Sequence, residues 1–265
     1  MKSALIVSTY NRPKALALCL ESIRRQRVLP DEVVIADDGS AQETARLIAD
    51  AAASFPVPLK HVWQEDEGFR AGQIRNKAVA ATDADYIIQV DGDVVLHPAF
   101  VADHLSVAAF GTYIVGSRVR LNKDFTEKVE RSQRFPRITP WSAGILKDRE
   151  KSIRLGRLGT WLTSKVRRNS RTAIGCNMAY WRRDFIDVNG YDENFVGWGC
   201  EDDDLSHRFN AYGLQSLKLF RIGLVYHLWH NELDKSHYEK SFSYMESKTV
   251  SDYFCKNGIN KYING

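Results

Sequence analysis

The chain has 265 residues, 44% hydrophobic and 26% charged, the composition of a globular protein with a sizeable core rather than of a disordered chain. Its 37 basic and 33 acidic side chains leave a net charge of +4, too mild to argue for a nucleic-acid partner. No apolar run is long enough for a membrane span or a signal-peptide core, and Cys19, Cys176, Cys200 and Cys255 form no CxxC pair for zinc; free thiols in a reducing cytoplasm are the expectation. Residues 4–8 predict a buried strand, and Pro13 opens a helix with apolar Ala15, Leu16, Leu18, Cys19, Leu20 and Ile23. A second buried strand, 32–36, runs into Asp37-Asp38-Gly39-Ser40. A helix over 43–53, a strand over 59–63 and a helix over 71–81 follow. The buried strand 85–90 stops at Asp91-Gly92-Asp93. Alternating strands and helices imply an α/β fold, a central mostly parallel sheet flanked by helices.

The second half is less regular. Residues 113–119 and 217–226 each read as one strand, and 171–181 as a return to the sheet. Residues 147–171 are strongly basic, with Ile153, Leu155, Leu158, Trp161, Leu162 and Val166 interspersed. That stretch fits first a solvated surface, and otherwise a mobile loop or a face meeting anionic lipid or pyrophosphate. From Ser236 a C-terminal helix is expected to pack on the body.

In such sheets ligands collect beyond the carboxyl ends of the strands. Residues 8–12, 37–40 and 91–93 all fall there. Asp91 and Asp93 flank a glycine and suit a hard divalent cation shared with a diphosphate, although Asp-Gly-Asp is also an ordinary turn. His227-Leu228-Trp229-His230 offers two imidazoles, and a carboxylate–imidazole set favours Mn²⁺ over Mg²⁺. Asp38 can accept from ribose or base, while Ser40 with Glu43 predicts a capping box. Arg70 and Arg75 are available for phosphate, or Arg75 and Asn76 tie their helix to neighbouring loops. In Gly197-Trp198-Gly199-Cys200-Glu201-Asp202-Asp203-Asp204 an aromatic platform lies beside carboxylates, suited to sugar. The same acids complement a helix N-terminus, with Leu205 and Phe209 packing inward. Walker A, G-x-G-x-x-G and G-x-S-x-G patterns do not occur where they would count.

Residues 7–12, Asp37-Asp38-Gly39-Ser40 and Asp91-Gly92-Asp93 resemble the nucleotide-sugar half of a GT-A family 2 glycosyltransferase. Residues 190–204 resemble the acceptor half of β-1,4-galactosyltransferases and of the bacterial chondroitin-polymerase type, through a Gly-Trp-Gly-x-Glu-Asp signature. The resemblance spans roughly residues 3 to 232; the basic insert lies outside its pattern. It implies one Rossmann-like GT-A domain over 1–265. Residues 1–100 would be the nucleotide-sugar half, 101–232 the acceptor half with insert 147–171, and 233–265 a helical tail.

By resemblance, Asp202 is the catalytic base and Glu201 supports sugar hydroxyls. Trp198 and Gly199 form the acceptor platform. Thr9, Tyr10, Asn11, Arg12, Asp38, Arg70, Arg75, Asp91 and Gly92 line the nucleotide-sugar site. Asp93 and His230 ligate Mn²⁺ (or Mg²⁺), with His227 standing where animal members carry a methionine. The implied reaction is inverting transfer of a hexose or N-acetylhexosamine, galactose types favoured, from a UDP-sugar to a saccharide or lipid-linked oligosaccharide. A cytoplasmic enzyme, peripheral on the inner membrane face, fits that acceptor. The alternatives are a non-catalytic carbohydrate-binding protein and a nucleotidyltransferase. The intact Asp93, Asp202 and His230 weigh against the first. The lack of a Gly-rich basic loop at 9–13 weighs against the second.

Overall fold

Alternate residues of the first apolar run serve two different cores, and this sets the layering. In β1 (Ser3–Thr9), Leu5 and Val7 face one cluster while Ala4 and Ile6 face another, the pattern of a strand covered on both faces. α1 (Pro13–Arg24) covers the first face with Leu16, Cys19, Leu20 and Ile23. β2 (Glu32–Asp37), α2 (Gln42–Ala52), β3 (Leu59–Trp63), α3 (Ala71–Ala80) and β4 (Tyr86–Asp91) follow. α3 covers the second face with Ile74, Ala78 and Val79. The computed structural model describes residues 1–168, 172–231, 236–249 and 251–263.

β3, β2, β1 and β4 lie side by side in that order, all parallel. Beyond them come β5 (Val94–Leu96), α4 (Phe100–Val107), β6 (Thr112–Val115), β7 (Arg118–Leu121), α5 (Lys123–Ser132) and β8 (Ile145–Lys147). A 3₁₀ turn at Arg149–Ser152 leads to α6 (Gly156–Lys165) and β9 (Arg167–Arg168). β10 (Met178–Trp181), α7 (Arg182–Asp187), α8 (Glu201–Ala211), β11 (Gln215–Lys218), β12 (Val225–His227), α9 (Tyr238–Glu246) and α10 (Asn260–Ile263) complete the order. The large sheet continues from β4 through β10, β6, β11 and β9. β10 is antiparallel to both its neighbours, which makes the sheet mixed. A second sheet has the order β5-β12-β7-β8.

Two expected strands are each broken in two. Residues 113–119 become β6 in the large sheet and β7 in the second, and residues 217–226 divide likewise between β11 and β12. One buried side chain pins both breaks. Asn177 Nδ2 donates to the carbonyls of Ser117 (2.8 Å) and Gly223 (2.9 Å), and Oδ1 lies 3.0 Å from His104 Nε2. A Cβ on Gly116 would lie 2.1 Å from Asn177 Cγ, so only glycine lets the chain pass there. Apolar periodicity does not register a long-range polar contact of this kind.

The capping box at Ser40 does not form. α2 starts at Gln42 with no side-chain cap. Ser40 Oγ instead accepts from Asn11 N (2.8 Å), and Asn11 Oδ1 accepts from Ala41 N (2.8 Å). The competing donor wins because it joins the loops after β1 and β2. The basic stretch carries the surface helix its first reading expected, α6, which seats its two buried residues, Gly159 and Thr163, on the 219–222 turn. Residues 169–171 of that stretch, and residues 233–235, 250 and 264–265 of the expected tail, lie outside the described residues. Among the described residues of the tail only Tyr238–Glu246, as α9, and Asn260–Ile263, as the short α10, are helical.

Candidate active site

Strand register brings the loop acids together. Ser8 of β1 is paired with Asp91 of β4, and Thr9 with Asp37 of β2. Gly92 N donates to Ser8 O at 2.6 Å, and a Cβ on Gly92 would lie 3.1 Å from that oxygen and 3.2 Å from the Thr9 side chain. The glycine between the two aspartates is therefore needed for close approach. It holds Asp91 and Asp93 at the carboxyl edge of β4.

The two histidines reach Asp93 by pairing of the second sheet. β12 runs antiparallel to β5 with His227 opposite Val94, and Leu228 N donates to Asp93 O at 2.9 Å. His227 Nε2 lies 3.6 Å from Asp93 Oδ1, and His230 Nε2 lies 3.6 Å from Oδ2. Ligand atoms of all three residues fall within 4.8 Å of one another. Each imidazole has its Nδ1 beside a carbonyl, Leu228 O for His227 and Asn231 O for His230. A proton on Nδ1 leaves the Nε2 lone pair facing Asp93, the arrangement of a metal-binding imidazole. Asp93 Oδ1 is buried with no hydrogen-bond partner, a costly state unless a cation satisfies it. The donor set fits a divalent ion. Arg12, expected at the nucleotide, directs Nη1 to Asp93 Oδ2 (2.9 Å) and Nη2 to Glu130 (2.9 Å) and the Trp229 carbonyl (3.2 Å). It braces the cluster.

The second group of acids is held by one buried guanidinium. α8 begins after Gly197, Gly199 and Cys200, all at positive φ, and places Glu201 and Asp202 in its first turn. Leu205 and Phe209 are fully buried, so the helix-start and carboxylate-site readings hold together. Arg75 donates to Ser8 Oγ (3.1 Å), Asp91 Oδ1 (3.1 Å), Asp202 Oδ1 (3.1 Å) and Glu201 Oε1 (3.4 Å). Four of its five N–H groups thus bond protein groups, and it ties α3 to its neighbours, as the alternative reading had it. Asp202 Oδ1 also accepts from Tyr191 Oη (3.0 Å), and Oδ2 from Gly175 N (2.6 Å). Burial pushes the Glu201 carboxyl up to about 7, the Asp202 charge adding to this against Arg75.

Asp38 is buried, accepting from Gln64 Nε2 (2.6 Å) and Arg70 N (2.9 Å). Burial raises its pKa against those two bonds. The Arg70 side chain pairs with Glu67 (3.2 Å), and exposed Tyr10 donates to Asp66 (2.8 Å). Thr9 is buried beside Gly92. Trp198 is half-buried, its ring 6.0 Å from that of Tyr238. Gly199 is required there, because a Cβ would lie 2.9 Å from the Tyr238 ring.

Three participants had no assigned role in the sequence reading. Tyr191 holds Asp202. Gln89, fully buried, donates to Tyr191 Oη (2.9 Å) and Gly175 O (3.0 Å). Its signal is a lone amide inside Ile87-Ile88-Gln89-Val90, since a buried polar side chain is the informative kind. Lys248, from the tail, bonds buried Asp192 (2.7 Å) and Asp204 (2.5 Å). It carries no such signal.

Burial alone would raise the Asp192 pKa, but the Lys248 ammonium and bonds from Asn194 N and Tyr244 hold it below its ordinary 3.8. A carboxyl lowered on folding adds stability above its unfolded pKa and loses it as pH falls through the folded one. Lys248→Met leaves buried Asp192 without a cation, while Asp204 keeps its 2.7 Å pair with Arg208, and should cost about 3–5 kcal/mol near neutral pH. The gap from wild type should narrow below pH 3.8, as denaturant melts at both pH values will show. An equal gap at both would contradict the pairing.

Comparison with known proteins places this geometry. Residues 4–188 match the model for "Glycosyl transferase family 2", and residues 160–231 match "N-terminal domain of galactosyltransferase". The chain belongs to glycosyl transferase family 2, an enzyme family. It is 24% identical to chondroitin synthase of Escherichia coli over 79% of this chain and 32% of that protein. It is 28% identical to validoxylamine A glucosyltransferase of Streptomyces hygroscopicus subsp. limoneus, over 80% of this chain and 48% of that one. The chain thus spans less than half the length of these relatives.

Two solved structures show that the fold is that of GT-A glycosyltransferases. The mannosyltransferase PcManGT of Pyrobaculum calidifontis, in complex with GDP-Man and Mn²⁺, aligns with a TM-score of 0.63 at 16% identity, over 87% of this chain and 58% of that one. Staphylococcus aureus TarS 1-349, in complex with UDP-GlcNAc, aligns at 0.61 and 15%, over 99% and 69%.

Proposed function

We propose that this chain transfers a hexose or N-acetylhexosamine from a UDP-sugar to a hydroxyl of a saccharide or lipid-linked oligosaccharide, with inversion. The observation that carries the reading is Arg75, whose single guanidinium bonds Asp91 on the nucleotide side and Asp202 on the acceptor side. One buried cation thus couples the two carboxylate loops that such a transfer needs next to each other. The galactosyltransferase match over the acceptor half supports galactose or N-acetylgalactosamine as the sugar.

Asp93, His227 and His230 would hold the divalent cation, Mn²⁺ in preference to Mg²⁺ because imidazoles accompany the carboxylate. When bound, the ion supplies Lewis-acid stabilisation of the charge that develops on the departing diphosphate. Asp202 takes the proton of the acceptor hydroxyl as that oxygen bonds the anomeric carbon. The bond from that carbon to UDP breaks, and its electron pair leaves with UDP. No covalent nucleophile is required. Glu201 bonds sugar hydroxyls, and Trp198 and Gly199 offer the sugar a flat face. Thr9, Tyr10, Asn11, Asp38, Arg70 and Gly92 line the donor side, with Arg12 and Arg75 positioning its carboxylates. Such an enzyme fits the cytoplasmic face of the cell membrane, where lipid-linked acceptors are within reach.

The test is UDP release from a panel of UDP-sugars with Mn²⁺, with and without EDTA. Release from UDP-galactose or UDP-N-acetylgalactosamine that EDTA abolishes is the expected result. No release from any donor, together with no thermal shift by UDP plus Mn²⁺, would overturn the proposal.

A further inference from the structure

Among the described residues, no helix is long and apolar enough to cross a membrane. One helix is built to lie on a surface. α6 turns its small residues inward and its large apolar ones outward. Gly159 packs on the Phe220 carbonyl, where a Cβ would lie at 2.6 Å, and Thr163 Oγ1 accepts from Phe220 N at 3.0 Å. The face opposite carries Leu158 (53% exposed) and Trp161 (56%), three residues apart and therefore neighbours. Phe220, whose backbone meets the inward face through those two contacts, is itself 46% exposed. Packing has not hidden these groups; it has turned them out.

Within the helix the charges have one sign. Arg157 and Lys165 stand exposed at the two ends of α6, which contains no acid. Arg221 lies over the Phe220 ring, 6.0 Å from its centre. The segment before the helix, 147–151, adds Lys147, Arg149 and Lys151 against Asp148 and Glu150, and Asp148 is paired with Lys151 and Arg120. An apolar face rimmed by cations, with tryptophan among the apolar groups, matches the boundary between anionic headgroups and acyl chains. A protein partner or a soluble anion would leave Leu158 and Trp161 without that match.

We propose that the outer face of α6 docks this chain on an anionic lipid bilayer. Leu158 and Trp161 enter the headgroup layer while Arg157 and Lys165 meet lipid phosphates. The proposal is independent of the transfer chemistry, because none of these residues belongs to the site.

The test is flotation of the full chain with vesicles of phosphatidylcholine mixed with phosphatidylglycerol, and of phosphatidylcholine alone. The chain should float with the anionic vesicles, more weakly as salt rises, and should stay down with the neutral ones. L158A/W161A should partition at least about tenfold more weakly. Arg157→Glu with Lys165→Glu should abolish flotation. Phe110→Ser, which alters a still more exposed aromatic (78%) in the turn between α4 and β6, should float as the wild type does. Thermal melts of each variant establish that it is folded. Failure of the folded wild type to float with anionic vesicles, equal flotation with neutral ones, or undiminished flotation of folded L158A/W161A would overturn the proposal.

Discussion

Asp202→Asn is expected to reduce sugar transfer by about 10²–10⁴-fold while leaving the thermal shift from UDP plus Mn²⁺ near that of the wild type. An amide keeps the size of the side chain but cannot take the acceptor proton. It can still accept from Tyr191 and Arg75, as Oδ1 does now. Its new NH₂, however, would face Gly175 N, which now donates to Oδ2 at 2.6 Å. A modest loss of stability is therefore part of the expectation, and melting must be measured alongside rate. Wild-type turnover in the variant would remove Asp202 as the base. The proton would then have to pass to Glu201, whose raised pKa suits a shared proton near neutral pH.

Asp93→Asn is expected to remove both metal uptake and transfer. The side chain supplies the only anionic member of the Asp93–His227–His230 cluster, and its Oδ1 has no other partner. Loss of an outer-shell group typically weakens a metal site by roughly ten- to a hundredfold, and loss of the anionic ligand should exceed that. The readouts are titration of Mn²⁺ by calorimetry and UDP release across a Mn²⁺ series. The substitution also weakens the 2.9 Å pairing of Arg12 with residue 93, leaving that guanidinium to Glu130 and the Trp229 carbonyl. Unchanged Mn²⁺ affinity would show that the cluster is not the metal site, however its histidines are oriented.

The difference between the two carboxylate loops shows how much local sequence carries. Asp91-Gly92-Asp93 was legible because acids with glycine make the turn that ends a buried strand, although the turn is itself largely covered. His227 and His230 were legible locally as a pair, and only the family resemblance joined them to Asp93, where the structure places them. Their meeting depends on β5 pairing with β12 across more than half the chain. Arg75 was legible as a cation near the site. The alternative reading, a tie between its helix and its neighbours, is what three carboxylates from β4 and α8 make of it. The Ser40 capping box failed because a backbone donor from another loop outcompetes the local one.

By itself the sequence determined the α/β alternation, the two-sided burial of β1, β2 and β4, the strand-end acids and the acidic start of α8. These follow from short-range rules of periodicity, turn chemistry and helix polarity, which neighbouring residues settle among themselves. Only the tertiary structure decided where residues 113–119 and 217–226 break, that Tyr191, Gln89 and Gly175 hold Asp202, and that Lys248 locks Asp192 to Asp204. It also decided that Trp161 points outward. Each of these depends on buried polar groups finding partners far away in the chain. A buried donor or acceptor left alone costs more than the local preference it overrides, so long-range pairing had the final word.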